Sequence, residues 1–345
     1  MDFAKLNAAI APLDRQAMEM ARRRWDNLAK PIGSMGRMEQ LIVRLAGIYG
    51  GSGIDIGKRA LLVMCADNGV LAQGVAQTPA EITATMAGFI ADGRSAAALM
   101  AARANCEVVT VDMGMLRKSQ NPRILDRRIA AATNDISQGA AMSREQALAA
   151  INAGVELVRE LHQRGYRLLA TGEMGIGNTT TTAAMAAALL GLAPQSVTGR
   201  GVGLSDEGLR NKQQVVARAL AVNKPDASDA LDVLHKLGGF DIAGLSGVFI
   251  GGALCRIPVL VDGVISSIAA LTAARLVPAA RAMMLPSHLS AEPCARAILR
   301  ELELEPVIDG QMRLGEGSGA MLLLPLLDLT LDVYRRLMTF ADIGM

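Results

Sequence analysis

The chain has 345 residues, a formal net charge of +2 at pH 7, and 51% hydrophobic but only 3% aromatic residues. This length can hold a large α/β domain with a smaller companion, and the balanced charge and scarcity of aromatic side chains for base stacking argue against a nucleic-acid partner. The four cysteines form no CxxC pair or Cys/His cluster, so we expect no metal site. The apolar stretch 247–261 is interrupted by Arg256 and Pro258, and no apolar leader follows Met1, so we expect a cytoplasmic protein without a membrane span.

Short apolar runs alternate with Ala-rich helical patterns along the chain, which is typical of a Rossmann-like parallel sheet flanked by helices. Five strands are predicted, each apolar nearly throughout: 60–66, 107–111, 167–171, 258–261 and 282–285. The clearest helix begins at the capping box Ser143-Arg144-Glu145-Gln146 and ends near Gly165. Residues 1–57 and 291–345 are mainly helical in pattern. We expect them to form one small helical domain beside a large α/β domain of residues 58–290.

Polar or glycine residues directly follow the predicted strands. These segments are Asp67-Asn68-Gly69, Asp112-Met113-Gly114, Gly172-Glu173-Met174-Gly175, Asp262-Gly263 and Pro286-Ser287-His288. The carboxyl ends of the strands line the ligand crevice in an open parallel sheet, so these segments are candidates for a binding site. Of the three histidines, only His288 lies at such an end. His162 and His235 fall in helical patterns typical of a surface.

The segment from Thr171 to Thr182 joins a predicted strand to an Ala-rich helix and contains three glycines, Asn178 and four consecutive threonines. Glycines let backbone N–H groups converge, and the helix N-terminus offers free donors, so the segment suits a phosphate. It is neither a Walker A loop nor a dinucleotide fingerprint. The alternative is a threonine-rich helix cap without a ligand. A second glycine-rich turn, 199–206, with Lys212 beyond it, also suits an anionic substrate.

The run Arg313-Leu314-Gly315-Glu316-Gly317-Ser318-Gly319-Ala320 places one carboxylate among three glycines. Glycine is usually found where the chain turns sharply or approaches a ligand closely, so Glu316 is a candidate for a buried base that faces a ligand. The alternative is an ordinary turn carrying a solvated glutamate.

Taken in order, these segments resemble the nicotinate-nucleotide:dimethylbenzimidazole phosphoribosyltransferase family over nearly the whole chain. Further matching motifs are Lys30-Pro31-Ile32-Gly33-Ser34-Met35-Gly36-Arg37, Gly238-Gly239-Phe240-Asp241-Ile242-Ala243 and Ser287-His288 with Ser290. The resemblance implies a dimer, no cofactor, and Glu316 as the catalytic residue. It also implies a substrate site made of Glu173, Gly175, Ile176, Gly177, Asn178, Thr179, Gly201, Lys212, Ser290, Arg313, Leu314 and Gly315.

The implied reaction moves the 5-phosphoribosyl group of nicotinate mononucleotide to an aromatic base and releases nicotinate. The pyridinium nitrogen of this substrate is already cationic, so the ring leaves as a neutral pyridine without a metal or general acid. The incoming base loses a proton as its nitrogen attacks C1' of the ribose, and Glu316 would accept that proton. Attack on the opposite face gives the α-linked product that cobamide assembly uses.

The segment expected to shape the base pocket departs from many relatives. Asn68 stands where they have histidine, and Gln77 and Thr78 precede Pro79 where they have a Ser-Ala-Tyr sequence. Thr85 stands for a glutamine before Met86. The acceptor could therefore be dimethylbenzimidazole, a related base or a phenol, and the dimer could be a homodimer or an unequal pair with a paralogous chain. A non-catalytic nucleotide-binding partner subunit is a further alternative, whereas no dinucleotide fingerprint supports an oxidoreductase.

Overall fold

A computed structural model describes residues 1–51, 53–201 and 203–344, so that Val202 of the predicted 199–206 turn lies outside the described residues. Its centre is a six-stranded parallel sheet in the order β3-β2-β1-β4-β5-β6. The strands are β1 Arg59–Ala66, β2 Glu107–Gly114, β3 Leu125–Asp126, β4 Leu168–Met174, β5 Val259–Val261 and β6 Met284–Pro286. The predicted α/β class and all five predicted strands are confirmed.

Three predicted strand boundaries were wrong, and one strand was missed. The predicted strand 282–285 begins only at Met284, because Ala282 and Met283 lie in the 3-10 turn Pro278–Met283. β2 continues through Gly114, which pairs with Ala66, and β4 continues through Met174, so Glu173 lies inside a strand. Polar side chains end an apolar pattern, but they do not end the backbone hydrogen bonding of the ladder. β3 escaped prediction because it has only two residues, both exposed.

The helices cover both faces of the sheet. They are α1 Phe3–Ala9, α2 Arg15–Asn27, α3 Arg37–Tyr49, α4 Glu81–Ala91, α5 Ala96–Arg103, α6 Arg144–Gln163, α7 Asn178–Leu190, α8 Pro194–Val197, α9 Asp206–Asn223, α10 Ala230–Leu237, α11 Phe240–Leu254, α12 Val264–Leu276, α13 Ala295–Glu301 and α14 Ser318–Arg336, with 3-10 turns at Gly69–Gln73, Pro278–Met283 and Ala341–Ile343. The predicted capping box is confirmed, because Ser143 and Gln146 exchange hydrogen bonds at the start of α6. None of the helices in the described ranges has the length and apolar character that a membrane crossing needs.

Two apolar cores lie on opposite faces of the sheet. On one face α11 is buried along most of its length and packs on α6, where a Cβ on Gly154 would lie 2.1 Å from the backbone oxygen of Gly244. Glycine is therefore required for this close helix contact. On the other face α2, α3, α5 and α14 cover the side chains of β1.

Helices α2 and α14 join the two helical segments of the chain. The rings of Trp25 and Tyr334 lie 5.0 Å apart, and Arg24 donates hydrogen bonds to the backbone oxygens of Tyr334 and Arg335. Helix α13 instead packs on α7 and α12. The division into a small domain of residues 1–57 and 291–345 and a large domain of residues 58–290 stays a prediction.

The strand order reverses direction between β1 and β4, because the chain extends outward through β2 and β3 on one side and through β5 and β6 on the other. Crossover connections then leave the carboxyl ends of these two central strands uncovered, which makes a crevice for a ligand. Asp67 and Asn68 follow β1 at this place, and Gly175 follows β4.

Candidate active site

A cavity of about 260 Å³ lies at the carboxyl ends of the central strands. It brings together most of the predicted site residues: Thr78, Met86, Glu173, Gly175, Ile176, Gly177, Asn178, Thr179, Gly201, Lys212, Ser290, Arg313, Leu314, Gly315 and Glu316. Gln77 and Thr85, two of the predicted base-pocket residues, lie outside the cavity lining. Gln77 is exposed and donates to the backbone oxygen of Gly203, and Thr85 points back along α4 to the backbone oxygen of Glu81.

One end of the cavity is formed by the start of α7. Gly177 caps this helix with a φ of +95°, which turns the chain from β4 into the helix. Of the four threonines, Thr179 lines the cavity, whereas Thr180, Thr181 and Thr182 are buried. The first turn of a helix presents backbone N–H groups and the positive end of its dipole, so this end of the cavity suits an anion.

Lys212 supplies a buried cation at the same end. It extends from α9, is 1% exposed, and its Nζ lies 2.7 Å from Oγ1 of Thr179. A Cβ on Gly201 would lie 3.5 Å from the Nζ atom, so Gly201 leaves the amine open on that side. Burial lowers the pKa of Lys212 to about 8, and the nearby Glu292 carboxylate opposes this shift.

Glu316 also lines the cavity, in an unusual backbone conformation. Gly315, Glu316 and Gly317 have φ values of +86°, +61° and +94°. A glutamate in this left-handed region costs of order 1 kcal/mol or more, which the fold must compensate. Its side chain is buried, and Oε2 accepts a hydrogen bond of 3.3 Å from the backbone N–H of Ala97 in the first turn of α5. Glu316 is therefore not the solvated residue of an ordinary turn.

Asp262, which follows β5, holds the Glu316 loop in place. Its Oδ2 accepts the backbone N–H of Gly317 at 3.1 Å, and its Oδ1 accepts that of Ala320 at 2.9 Å. The carboxylate thus binds the start of α14, where negative charge is favoured. Burial raises the pKa of Asp262, although the amides and the neighbouring His288 oppose the shift.

A second carboxylate, Glu173, enters the cavity from β4. Nδ2 of Asn178 donates hydrogen bonds to Oε2 of Glu173 and, at 3.0 Å, to Oδ2 of Asp241. Burial raises the pKa of Glu173 to about 8 and that of Asp241 to about 6, with Asn178 opposing both shifts. When no ligand is bound, Glu173 is therefore mainly protonated at neutral pH. Since the Asn178 amide is occupied by these two acids, a ligand would meet the backbone of Asn178 rather than its side chain.

The remaining wall of the cavity is largely apolar and was only partly foreseen. Val75, Ile82, Met86, Met174 and Ile265 line it. The hydroxyls of Thr78 and Ser266, which also line it, have no hydrogen-bond partner among the described residues.

Several cavity contacts were missed because they depend on tertiary folding. Thr83 accepts the backbone N–H of Ile176 at 3.2 Å, and Glu292 lies near Lys212. Neither residue belongs to a recognisable motif. His235, predicted to lie at the surface, is half-buried and pairs with Asp232. Within the described ranges, no group of three or more His, Cys, Asp or Glu side chains is arranged to hold a metal ion.

Comparisons with known proteins give a consistent result. A family model described as a phosphoribosyltransferase matches residues 10–345. A nicotinate-nucleotide–dimethylbenzimidazole phosphoribosyltransferase from Acetivibrio thermocellus is 43% identical over 97% of this chain and 95% of its own length. One from a strain of Escherichia coli is 42% identical over 97% and 94%. The crystal structure of CobT from Thermus thermophilus superimposes with a TM-score of 0.91 at 38% identity, covering 96% of this chain and 99% of that one.

Proposed function

The chain belongs to the nicotinate-nucleotide:dimethylbenzimidazole phosphoribosyltransferase family, and from this premise we propose how its cavity transfers the 5-phosphoribosyl group of nicotinate mononucleotide to an aromatic base. The enzyme is a pentosyltransferase of cobalamin biosynthesis. Its products are nicotinate and the α-linked riboside phosphate of the acceptor base.

The observation that carries this proposal is the distribution of charged and apolar residues in the cavity lining. A buried lysine and a helix N-terminus form one end, two buried carboxylates, Glu173 and Glu316, lie elsewhere in the lining, and an apolar wall completes it. The phosphate of nicotinate mononucleotide would bind to Lys212, Thr179 and the backbone of Gly177. With the phosphate held there, the C1' atom of the ribose would be positioned for attack by a base that lies on the apolar wall. Holding both reactants in this way makes the reaction effectively unimolecular.

Glu316 is proposed as the base that removes the acceptor's proton. Its conformation is set by two flanking glycines, and its carboxylate is oriented by the Ala97 amide, so it meets the acceptor without reorganisation. The electron pair of the attacking nitrogen forms the new bond to C1' as the bond to the pyridinium nitrogen breaks. The electron pair of the broken bond neutralises the departing ring, and the acceptor's proton moves to the carboxylate.

Glu173 is proposed to lie beside the ribose or the incoming base. Its raised pKa means that its charged form is disfavoured, and the cationic pyridinium ring of a bound substrate would favour that form again. A Cβ on Gly315 would lie 2.6 Å from Oε1 of Glu173, so the two acidic segments are in direct contact. The roles of the two carboxylates can therefore be separated only by substituting each in turn.

The acceptor is proposed to be dimethylbenzimidazole or a related base. Met86, Ile82 and Met174 give an apolar surface on which a flat ring can lie. The same apolar surface accommodates a phenol, which is therefore the second candidate acceptor.

The test is turnover of nicotinate mononucleotide by the purified chain with dimethylbenzimidazole, adenine, phenol and p-cresol, with nicotinate release followed by chromatography. Glu316→Gln and Glu173→Gln are compared with Glu156→Gln, which removes an exposed carboxylate on α6. We expect kcat to fall by about 100-fold or more in Glu316→Gln, because this variant loses the general base. The other two variants should not show a loss of this size. A larger loss in Glu173→Gln, with activity kept in Glu316→Gln, would transfer the role to Glu173. Absence of acceptor-dependent release by the parent chain, both alone and mixed with a paralogous chain, would refute the transferase assignment.

We infer that the chain forms a homodimer through the outer face of α14. Leu322, Leu326 and Leu329 form an exposed apolar row on this helix, and Leu99 on the adjacent α5 extends it. A row of this kind is favoured at an interface between subunits. Light scattering should give twice the chain mass for the parent and a monomer for Leu326→Glu/Leu329→Glu. A monomeric parent that gains activity only with a paralogous chain would support the unequal dimer instead.

A further inference from the structure

His288 is a buried residue of the cavity lining that the mechanism above does not use. It follows β6, is 4% exposed, and lies at the cavity beside Gly263 and Ser290. Its backbone is fixed on both sides, since Ile308 accepts the N–H of Leu289 at 2.8 Å and donates its own N–H to the backbone oxygen of Ser287 at 3.1 Å. The side chain therefore starts from a rigid position.

The imidazole ring is equally constrained. A Cβ on Gly319 would lie 1.8 Å from Nδ1, so the ring lies directly against the first turn of α14. Nδ1 is 3.2 Å from Oγ of Ser287 and 3.9 Å from Oδ1 of Asp262. This contact explains the glycine at position 319, because a side chain there would displace the ring.

The hydrogen bonds of Ser287 assign the proton on the ring. Its hydroxyl lies 2.7 Å from the backbone oxygen of Val261 and donates its single proton there. Oγ can then only accept from the ring, so Nδ1 carries the hydrogen, and the nearby Asp262 carboxylate favours the same arrangement. In the neutral ring Nε2 is consequently the acceptor. Nε2 lies on the edge of the ring opposite the Cα–Cβ bond, 3.9 Å from the position that a Cβ on Gly263 would take.

We propose that Nε2 of His288 accepts a hydrogen bond from a ribose hydroxyl of the bound nucleotide, an assignment that rests on the proposed function. Ser290, two residues further along the chain, lines the same cavity as Lys212, and Gly319, against the ring, is three residues from Glu316. The ring thus lies in the same cavity as the residues assigned to the phosphate, against the helix turn that follows Glu316. The ribose is the part of nicotinate mononucleotide that joins the phosphate to the nicotinate ring. A fixed acceptor here positions the sugar and rejects substrates that lack the hydroxyl.

The test measures binding without turnover, by calorimetry of nicotinate mononucleotide and its 2'-deoxy and 3'-deoxy analogues in the absence of any acceptor base. The parent chain should bind at least one deoxy analogue about 10-fold to 100-fold more weakly than the natural ligand, because the buried acceptor is left unpaired. In His288→Asn the amide can replace Nδ1 and keep the contact with Ser287, but nothing replaces Nε2. This variant should bind the natural ligand about as weakly as the parent binds that analogue, and should distinguish the two ligands less than about threefold.

The ratio of affinities separates a direct contact from a structural role. A misfolded or loosened cavity would weaken all three ligands together and leave the ratio unchanged, which would overturn the proposal. His162→Asn, at an exposed position on α6, should keep the parent's ratio. Equal binding of all three ligands by the parent would overturn the ribose contact but leave the transferase function standing. No binding of nicotinate mononucleotide at all would overturn both.

Discussion

Burial of the Lys212 amine should make the stability of the protein depend on pH, and Lys212→Met should remove this dependence. The pKa of Lys212 falls from its ordinary value of 10.5 to about 8 in the folded state, which corresponds to a penalty of about 3 kcal/mol on the charged form. Between pH 8 and pH 10.5 the unfolded chain holds more protons than the folded one, so the contribution of this group to stability rises with pH in that window. At pH 7 the penalty is felt in full.

We therefore expect the difference in unfolding free energy between parent and Lys212→Met to shift by about 2 to 3 kcal/mol in favour of the parent from pH 7 to pH 10. At pH 7 the variant should be at least as stable as the parent, although it loses the hydrogen bond to Thr179. Urea unfolding followed by circular dichroism at both pH values measures this. Other titrating groups cancel in the comparison, and Lys118→Met, at a 61% exposed side chain, is the control. If the difference in unfolding free energy changes by less than about 0.5 kcal/mol between pH 7 and pH 10, the buried ammonium is not destabilised.

Glu173 and the glycine of α14 give two more predictions. The folded pKa of Glu173, about 8, exceeds its ordinary value of 4.5, so the contribution of this group to stability is lost as pH rises between these values. The unfolding free energy of Glu173→Gln should therefore gain up to about 3 kcal/mol on that of the parent from pH 5 to pH 8. The same pH dependence of the unfolding free energy in both proteins, measured with urea, would contradict this. Gly319→Ala should destabilise by about 1 to 3 kcal/mol because its Cβ meets the His288 ring, whereas Gly88→Ala on α4, with no atom within 4 Å, should stabilise by about 0.5 to 1 kcal/mol. Equal thermal shifts for the two alanine variants would refute the ring contact.

The strands were predictable because a parallel sheet buried on both faces needs continuous apolar runs, and all eight residues of β1 are buried. The Glu316 loop was predictable because glycine readily adopts its flanking φ values. What holds this loop was not predictable, since Asp262 acts on Gly317 across 55 residues of chain. Likewise, no sequence pattern places Thr83 against Ile176 in the loop before α7, or turns Thr85 away from the cavity. Both positions depend on how α4 is rotated against the sheet.

The contact between α2 and α14 has a consequence for the chain during its synthesis. Arg24 and its partner Tyr334 are 310 residues apart. At a synthesis rate of about 5 to 20 residues per second, the apolar face around Trp25 is made about 15 to 60 s before the helix that covers it. We expect the nascent chain to need a chaperone for this interval. Glu316, the proposed catalytic residue, belongs to the same late segment. The polypeptide therefore becomes competent for catalysis only when the apolar face around Trp25 is covered.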